Sequence, residues 1–148
     1  MKMVIRIRND ISEKIKTYAL LFRARKLFYV ELIIGVLFYG SILVCAVMLV
    51  LDNLVVSVLA SVHSLVFAVG VGLLDVEINE ILSKIKTDTR DVRERYENII
   101  IVSVILLFFS FIIGVKACLI MFMILSVLTV SLALVHSNNV IKEIKELL

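Results

Sequence analysis

Four long stretches of this chain contain no Asp, Glu, Lys or Arg: residues 32–51, 53–74, 98–115 and 117–141, of 20, 22, 18 and 25 residues. A helix of roughly 20 apolar residues crosses a hydrocarbon core of about 30 Å. The runs are continuously apolar and do not alternate, so they predict membrane-spanning helices and not barrel strands. A single charge, Asp52, interrupts the first pair of runs, and a single charge, Lys116, interrupts the second. Breaks that short fit only tight turns between antiparallel helices. Asp52 and Asn53 supply side chains that bond nearby backbone at such turns, and Gly114 serves the other corner.

The predicted fold is therefore all-α and integral to the membrane. Two tandem helical hairpins, 27–74 and 99–135, contribute four transmembrane helices. Three polar segments flank or join them: an arm at 1–26, a linker at 75–98 and a tail at 136–148. The second hairpin is shorter. Its first helix is marginal, about 25 Å at 1.5 Å per residue, and either thins the bilayer or enters it without crossing fully.

Composition narrows the class further. Of 148 residues, 61% are hydrophobic, with no Pro, no Trp and only five Gly, and the mean hydropathy is +1.09. Soluble enzyme domains, collagen-like chains, disulfide scaffolds and disordered chains are excluded. Charge sets an expected orientation. Fifteen of the 16 basic residues fall in the arm, linker and tail, and Lys116 is the exception. By the positive-inside rule both termini and the linker are cytoplasmic. The first apolar run begins near residue 27, is too long for the core of a signal peptide and lacks a small-x-small cleavage site, so an uncleaved chain is expected. The Ile- and Lys-rich, Pro-free composition suits a prokaryotic or archaeal cell membrane at least as well as an endoplasmic reticulum.

A shift of 70 residues aligns the halves with nine identities in 30 positions. Lys14-Ile15-Lys16-Thr17 matches Lys84-Ile85-Lys86-Thr87, Arg23 and Arg25 match Arg93 and Arg95, and Leu37-Phe38 matches Leu107-Phe108. The polar matches favour an internal repeat whose units run parallel. The segments outside the spans read as amphipathic helices. Ile7, Ile11, Ile15, Tyr18 and Phe22 share a face of the arm. With Arg6, Arg8, Lys14, Lys16, Arg23, Arg25 and Lys26 beside it, this face is expected to lie on anionic lipid or to set topology as an ordinary basic flank. Ile78, Leu82, Ile85, Thr89, Val92 and Tyr96 make a short heptad-like seam in the linker, suited to packing or to a soluble partner at 76–96. Val140, Ile141, Ile144, Leu147 and Leu148 form the stripe of the tail, placing Ile141, Ile144 and Leu148 at the membrane surface.

Within the spans, Ser57, Ser61, Ser64, Ala68 and Gly72 line one face of the second helix, and Gly35 and Gly40 lie in the first. Small residues let helices approach closely in lipid, within a bundle or between copies, so a homo-oligomer is expected. Glu31 and His63 are the candidate intramembrane polar site. Glu31 reads as a proton or cation site, or as a carboxylate that snorkels toward Arg25 and Lys26, and its place one turn from the charged end favours snorkelling. His63 has no Cys or carboxylate partner in sequence reach and reads as a hydrogen-bonded structural residue. His136 reads as interfacial. Cys45 and Cys118 have no paired spacing and read as packing residues. No catalytic, nucleotide or metal motif occurs, so the chain reads as non-enzymatic, without cofactor or metal, and nothing implies nucleic acid.

Hairpins at 27–74 and 99–135 with far-side turns, a connecting linker, cytoplasmic termini and a final amphipathic helix make a layout that resembles the reticulon-homology architecture. The resemblance is one of layout over nearly the whole chain. It implies a protein that shapes or scaffolds the bilayer through wedge-like hairpins and surface helices, often as oligomers. A small channel, transporter or effector subunit is the alternative, with Glu31 and His63 facing a shared interior. A membrane anchor that recruits a partner through the linker is a third reading.

Overall fold

The computed structural model describes residues 1–85 and 92–147. Four helices account for nearly all of them: α1 (Lys2–Val50), α2 (Leu54–Ile85), α3 (Val92–Ile113) and α4 (Val115–Glu146). All four are long and apolar enough to cross a membrane. The described residues contain no strand. The chain is thus a multi-pass integral membrane protein by length and composition.

The helices do not stop where the charges begin. α1 is unbroken for 49 residues, about 73 Å at 1.5 Å per residue. α2 carries on through residues 76–85, and α4 through the tail. No helix boundary therefore falls at residues 26, 74 or 135. Thr87, Asp88 and Thr89, the expected break in the linker, lie outside the described residues.

The buried positions explain the arrangement. In α1 they are Leu21, Ala24, Glu31, Gly35, Phe38 and Cys45. In α2 they include Ser57, Ser64, Val71, Asp75, Ile78 and Leu82, and in α4 Leu119, Ser126, Val130, Ala133, Ser137, Val140 and Ile144. Nearly all these spacings are three, four or seven, the heptad pattern that keeps one stripe of each helix on a common seam. Three helices, α1, α2 and α4, thus share one core. Ala24, Ile78, Ile81 and Ile144 pack together at the charged end, and Phe38, Val71, Val130 and Ala133 further along. Phe38 and Val71 are fully buried, whereas Ile33, Val36, Leu65, Val66 and Leu132 are exposed. An outer surface this apolar is what hydrocarbon solvates and water does not.

α3 is the outlier. Among its described residues only Val92 and Ser110 are buried, and it leans mainly on α4.

The corner between α1 and α2 is a left-handed helix stop. Asp52 has φ 61°. The Asn53 N–H donates to Met48 O at 2.9 Å and the Asp52 N–H to Leu49 O at 3.2 Å. This satisfies carbonyls that the last turn leaves open. Asn53 Oδ1 then accepts from Val56 N at 3.3 Å and starts α2. Beyond the corner, Cys45 Sγ donates to Ser57 O at 3.3 Å while Ser57 Oγ donates back to Cys45 O at 3.1 Å, tying α1 to α2. At the other corner Gly114 takes φ 155°, a conformation that side chains rarely adopt. Lys116 donates to Asp52 Oδ1, so the two lone charges of the turn end meet each other.

The amphipathic stripes part company in the structure. Val140 and Ile144 of the tail are buried against Leu21, Ala24, Ile78 and Ile81. Ile144 is therefore a core residue and not a surface one, and Ile141 packs partly on the same core. Leu148 lies outside the described residues. In the arm, Ile7, Ile11, Ile15, Tyr18 and Phe22 stay exposed. Arg23 of the arm pairs with Glu77 at 3.1 Å, and the Lys26 ammonium sits 5.5 Å from the Phe22 ring centre.

Candidate functional site

Each helix of the shared core places one polar side chain on its seam at nearly the same level. Glu31 lies 20 residues before the turn at Leu51, about 30 Å along α1. Asp75 and Ser137 lie at similar distances from their own turns. This level is one hydrocarbon thickness from the turns, where the apolar rod gives way to charged helix ends. The heptad seam then forces the three side chains inward between two apolar cores.

There they touch. Ser137 Oγ stands 3.0 Å from Glu31 Oε1 and 2.7 Å from Asp75 Oδ1. His136 Nδ1 stands 2.8 Å from the same Asp75 oxygen. Tyr96, reaching in from α3, donates its hydroxyl to Asp75 Oδ2 at 2.6 Å. Glu31 and Ser137 are 0% exposed and Asp75 1%. Glu31 Oε2 is buried without a hydrogen-bond partner among the described residues.

The geometry constrains the protons. An ionised carboxylate only accepts, so with Asp75 ionised the His136 contact needs a hydrogen on Nδ1. Ser137 owns one hydrogen but lies between two carboxyl oxygens, so it donates to one and must accept from the other. The two contacts are both satisfied when one carboxyl is protonated. Asp75 has three donors around it and Glu31 has one neighbour and an orphan oxygen. A chain that satisfies both contacts runs from Glu31 O–H to Ser137 Oγ and from Ser137 O–H to Asp75 Oδ1. Burying two unpaired carboxylates here would cost far more than burying one that three donors bond.

Among the described residues no group of three or more His, Cys, Asp or Glu is arranged to hold a metal ion. The atoms form a chain of hydrogen bonds and not a shell around a point. A cavity of about 230 Å³ opens beside Asp75, Tyr96 and His136, with Arg95 on its wall.

The expected site residues fare unequally. Glu31 does not snorkel: it faces the core and meets Ser137, because its seam position outweighs its nearness to Arg25 and Lys26. His63 is exposed, and its Nδ1 is satisfied by Leu59 O on its own helix at 2.8 Å. It takes no part in the cluster with Glu31. Ser57, Ser64 and Gly35 are buried in helix contacts, and Ser61, Ala68 and Gly72 are partly buried. A Cβ on Gly35 would meet Leu134 Cδ1 at 3.3 Å, whereas one on Gly40 would meet open space. Gly40 therefore serves no close helix approach here. Cys45 and Cys118 are both free thiols.

No protein-family model, curated protein or solved structure matches this chain. The cluster must be read from its own chemistry.

Asp75 and Tyr96 escape a reading by charge-free runs, since they fall in the polar linker, whereas His136 and Ser137 lie inside the 117–141 run, close to its charged end. Their common signal is the 3-4 spacing. Extending the seam Val130, Ala133, Ser137, Val140 and Ile144 through the tail boundary puts Ser137 inside.

Proposed function

We propose that this is a non-enzymatic multi-pass membrane protein that takes up and releases a proton at the Glu31–Ser137–Asp75 chain. Its class is a proton-coupled channel, transporter or effector subunit. In this reading two transmembrane hairpins cross the bilayer, and the termini and the 75–98 segment face the cytoplasm, where the basic residues concentrate. The site then lies at the cytoplasmic boundary, within reach of cytoplasmic water. The observation that carries the reading is the single Ser137 hydroxyl between two buried carboxyl groups. Intramembrane ionisable groups are costly and mark ion and proton pathways. Glu31 is the proton-carrying residue, Ser137 the relay, and Asp75 the acceptor held by Tyr96 and His136.

The test combines two measurements on the protein reconstituted in liposomes. Infrared spectra across a pH titration should show a protonated-carboxyl band that disappears in Glu31→Gln. A pH-sensitive dye inside the vesicles should report proton entry that the same substitution abolishes. A wild-type spectrum without such a band at neutral pH would sink the proposal.

One observation favours a second reading, that of a bilayer-shaping or scaffolding protein. The apolar stripe of the arm, Ile7 to Phe22, is exposed beside basic residues, as in helices that lie on anionic lipid. With Val140 and Ile144 in the core, the wedge would be the arm and the α3–α4 pair. Electron microscopy of dye-loaded liposomes separates the readings. Tubes or small vesicles that retain dye support shaping, and round vesicles with proton entry support the coupled protein.

A further inference from the structure

Between α2 and α3, with α4 as its floor, runs a cavity of about 410 Å³. It exists because α3 leans on α4 and meets α2 over only a short stretch. Near its charged end the Tyr96 ring lies against Gly72, where an added Cβ would make only ordinary van der Waals contact with it. Leu65, Val69, Ile100, Val104, Phe122 and Leu125 make the walls apolar. At one end stand Arg93, Tyr96 and Glu97. Arg95, on the wall of the adjoining cavity beyond Tyr96, is exposed and ion-paired to no side chain among the described residues.

Length and charge name the occupant. From Leu65 to Val76 the groove follows α2 for about 16 Å at 1.5 Å per residue. That is one leaflet of a hydrocarbon core about 30 Å thick. The charged end coincides with the level of the buried carboxyl cluster, where the core ends and headgroups begin. A second transmembrane helix would need the full thickness, whereas a single acyl chain needs half. An anionic phosphate above that chain meets Arg95, since Arg93 at the groove end is engaged by Glu97 at 3.7 Å.

We propose that this groove is a lipid site holding one acyl chain of an anionic phospholipid, with the phosphate at Arg95. The assignment does not depend on the proton reading. It makes α3 a helix that is completed by lipid on its α2 side, which accounts for its sparse protein packing.

The test uses the full chain in liposomes of equal phosphatidylglycerol and phosphatidylcholine, extracted in mild detergent and weighed by native mass spectrometry. One retained phosphatidylglycerol per protomer is expected. Val69→Trp and Ser103→Trp, from opposite walls, fill the groove and should each cut retention about tenfold through overpacking, with helicity by circular dichroism confirming the fold. Arg95→Gln should lower the preference for the anionic lipid about fivefold, the effect of one basic residue near the surface. Retention unchanged in both Trp variants would overturn the site. Equal retention of both lipids, indifferent to Arg95→Gln, would overturn the phosphate assignment. Conversion of a dimer to a monomer by the Trp variants would give the groove to a second copy and likewise overturn the lipid.

Discussion

The Tyr96 hydroxyl donates to Asp75 Oδ2 at 2.6 Å, and this bond ties the peripheral helix α3 to the buried site on α2. Few other contacts join those two helices. One phenol therefore both supplies a donor to a buried carboxylate and holds the outlying helix.

Tyr96→Phe keeps the ring over Gly72 and deletes only the donor. A hydrogen bond to a charged group contributes about 1.5–3 kcal/mol. We expect a loss of about 2 kcal/mol in stability, read as a lower denaturant midpoint in detergent, and faster hydrogen exchange in α3 than in α1. Equal exchange in the two proteins would show that α3 is held by other means.

Ser137→Ala removes the hydroxyl between the two carboxyls. Both carboxyl groups stay buried and lose the hydroxyl between them. The expected cost is about 1–3 kcal/mol per unsatisfied group. Ser137→Thr keeps the hydroxyl and should retain both stability and the protonated-carboxyl infrared band. If Ser137→Ala melts like the wild type, the bridge is energetically idle.

Gly35 marks the close approach of α1 to α4. Gly35→Ala meets Leu134 Cδ1 at 3.3 Å, a flexible tip that yields, so a small effect is expected. Gly35→Leu forces a full side chain into the same space and should cost about 1–3 kcal/mol. Gly40→Leu, facing open space, is the control and should melt like the wild type.

The Lys116 ammonium bonded to Asp52 holds that carboxyl below the ordinary carboxylate range. Because the folded value is lowered, the contribution is fully present above the unfolded value of about 3.9. It is lost as pH falls through the folded value. Both side chains are exposed, so the effect is small and salt-sensitive. Thermal melts of wild type and Lys116→Gln should differ slightly at pH 7 in low salt and converge as the pH is taken well below 3.9. A gap that widened in acid would contradict the pairing.

Charge-free runs and lone turn residues made four apolar helices legible, because crossing hydrocarbon demands length and uniform apolarity. The same uniformity hid which side of each helix faces inward. In a soluble helix, polarity marks the outside. Here Glu31, Ser57, Ser64, Asp75, Ser126 and Ser137 mark the inside, since lipid rewards exposed apolar side chains and small or polar groups seek helix partners. His63, the other polar residue expected inside the spans, reads from sequence as a hydrogen-bonded structural residue, and its Nδ1 bonds Leu59 O on its own helix.

By itself the sequence determined the number of apolar helices, the places of the two turns and the concentration of basic charge in the arm, linker and tail, all of which follow from counting residues against bilayer thickness and charge. Tertiary structure decided that α1, α2 and α4 share a seam while α3 stands aside. It also decided that Asp52 meets Lys116, and that Glu31, Asp75, Tyr96, His136 and Ser137 converge. Those residues are separated by up to 106 positions. Only the packing of three heptad stripes at a common depth brings them together, a relation between helices that no single stretch of chain contains.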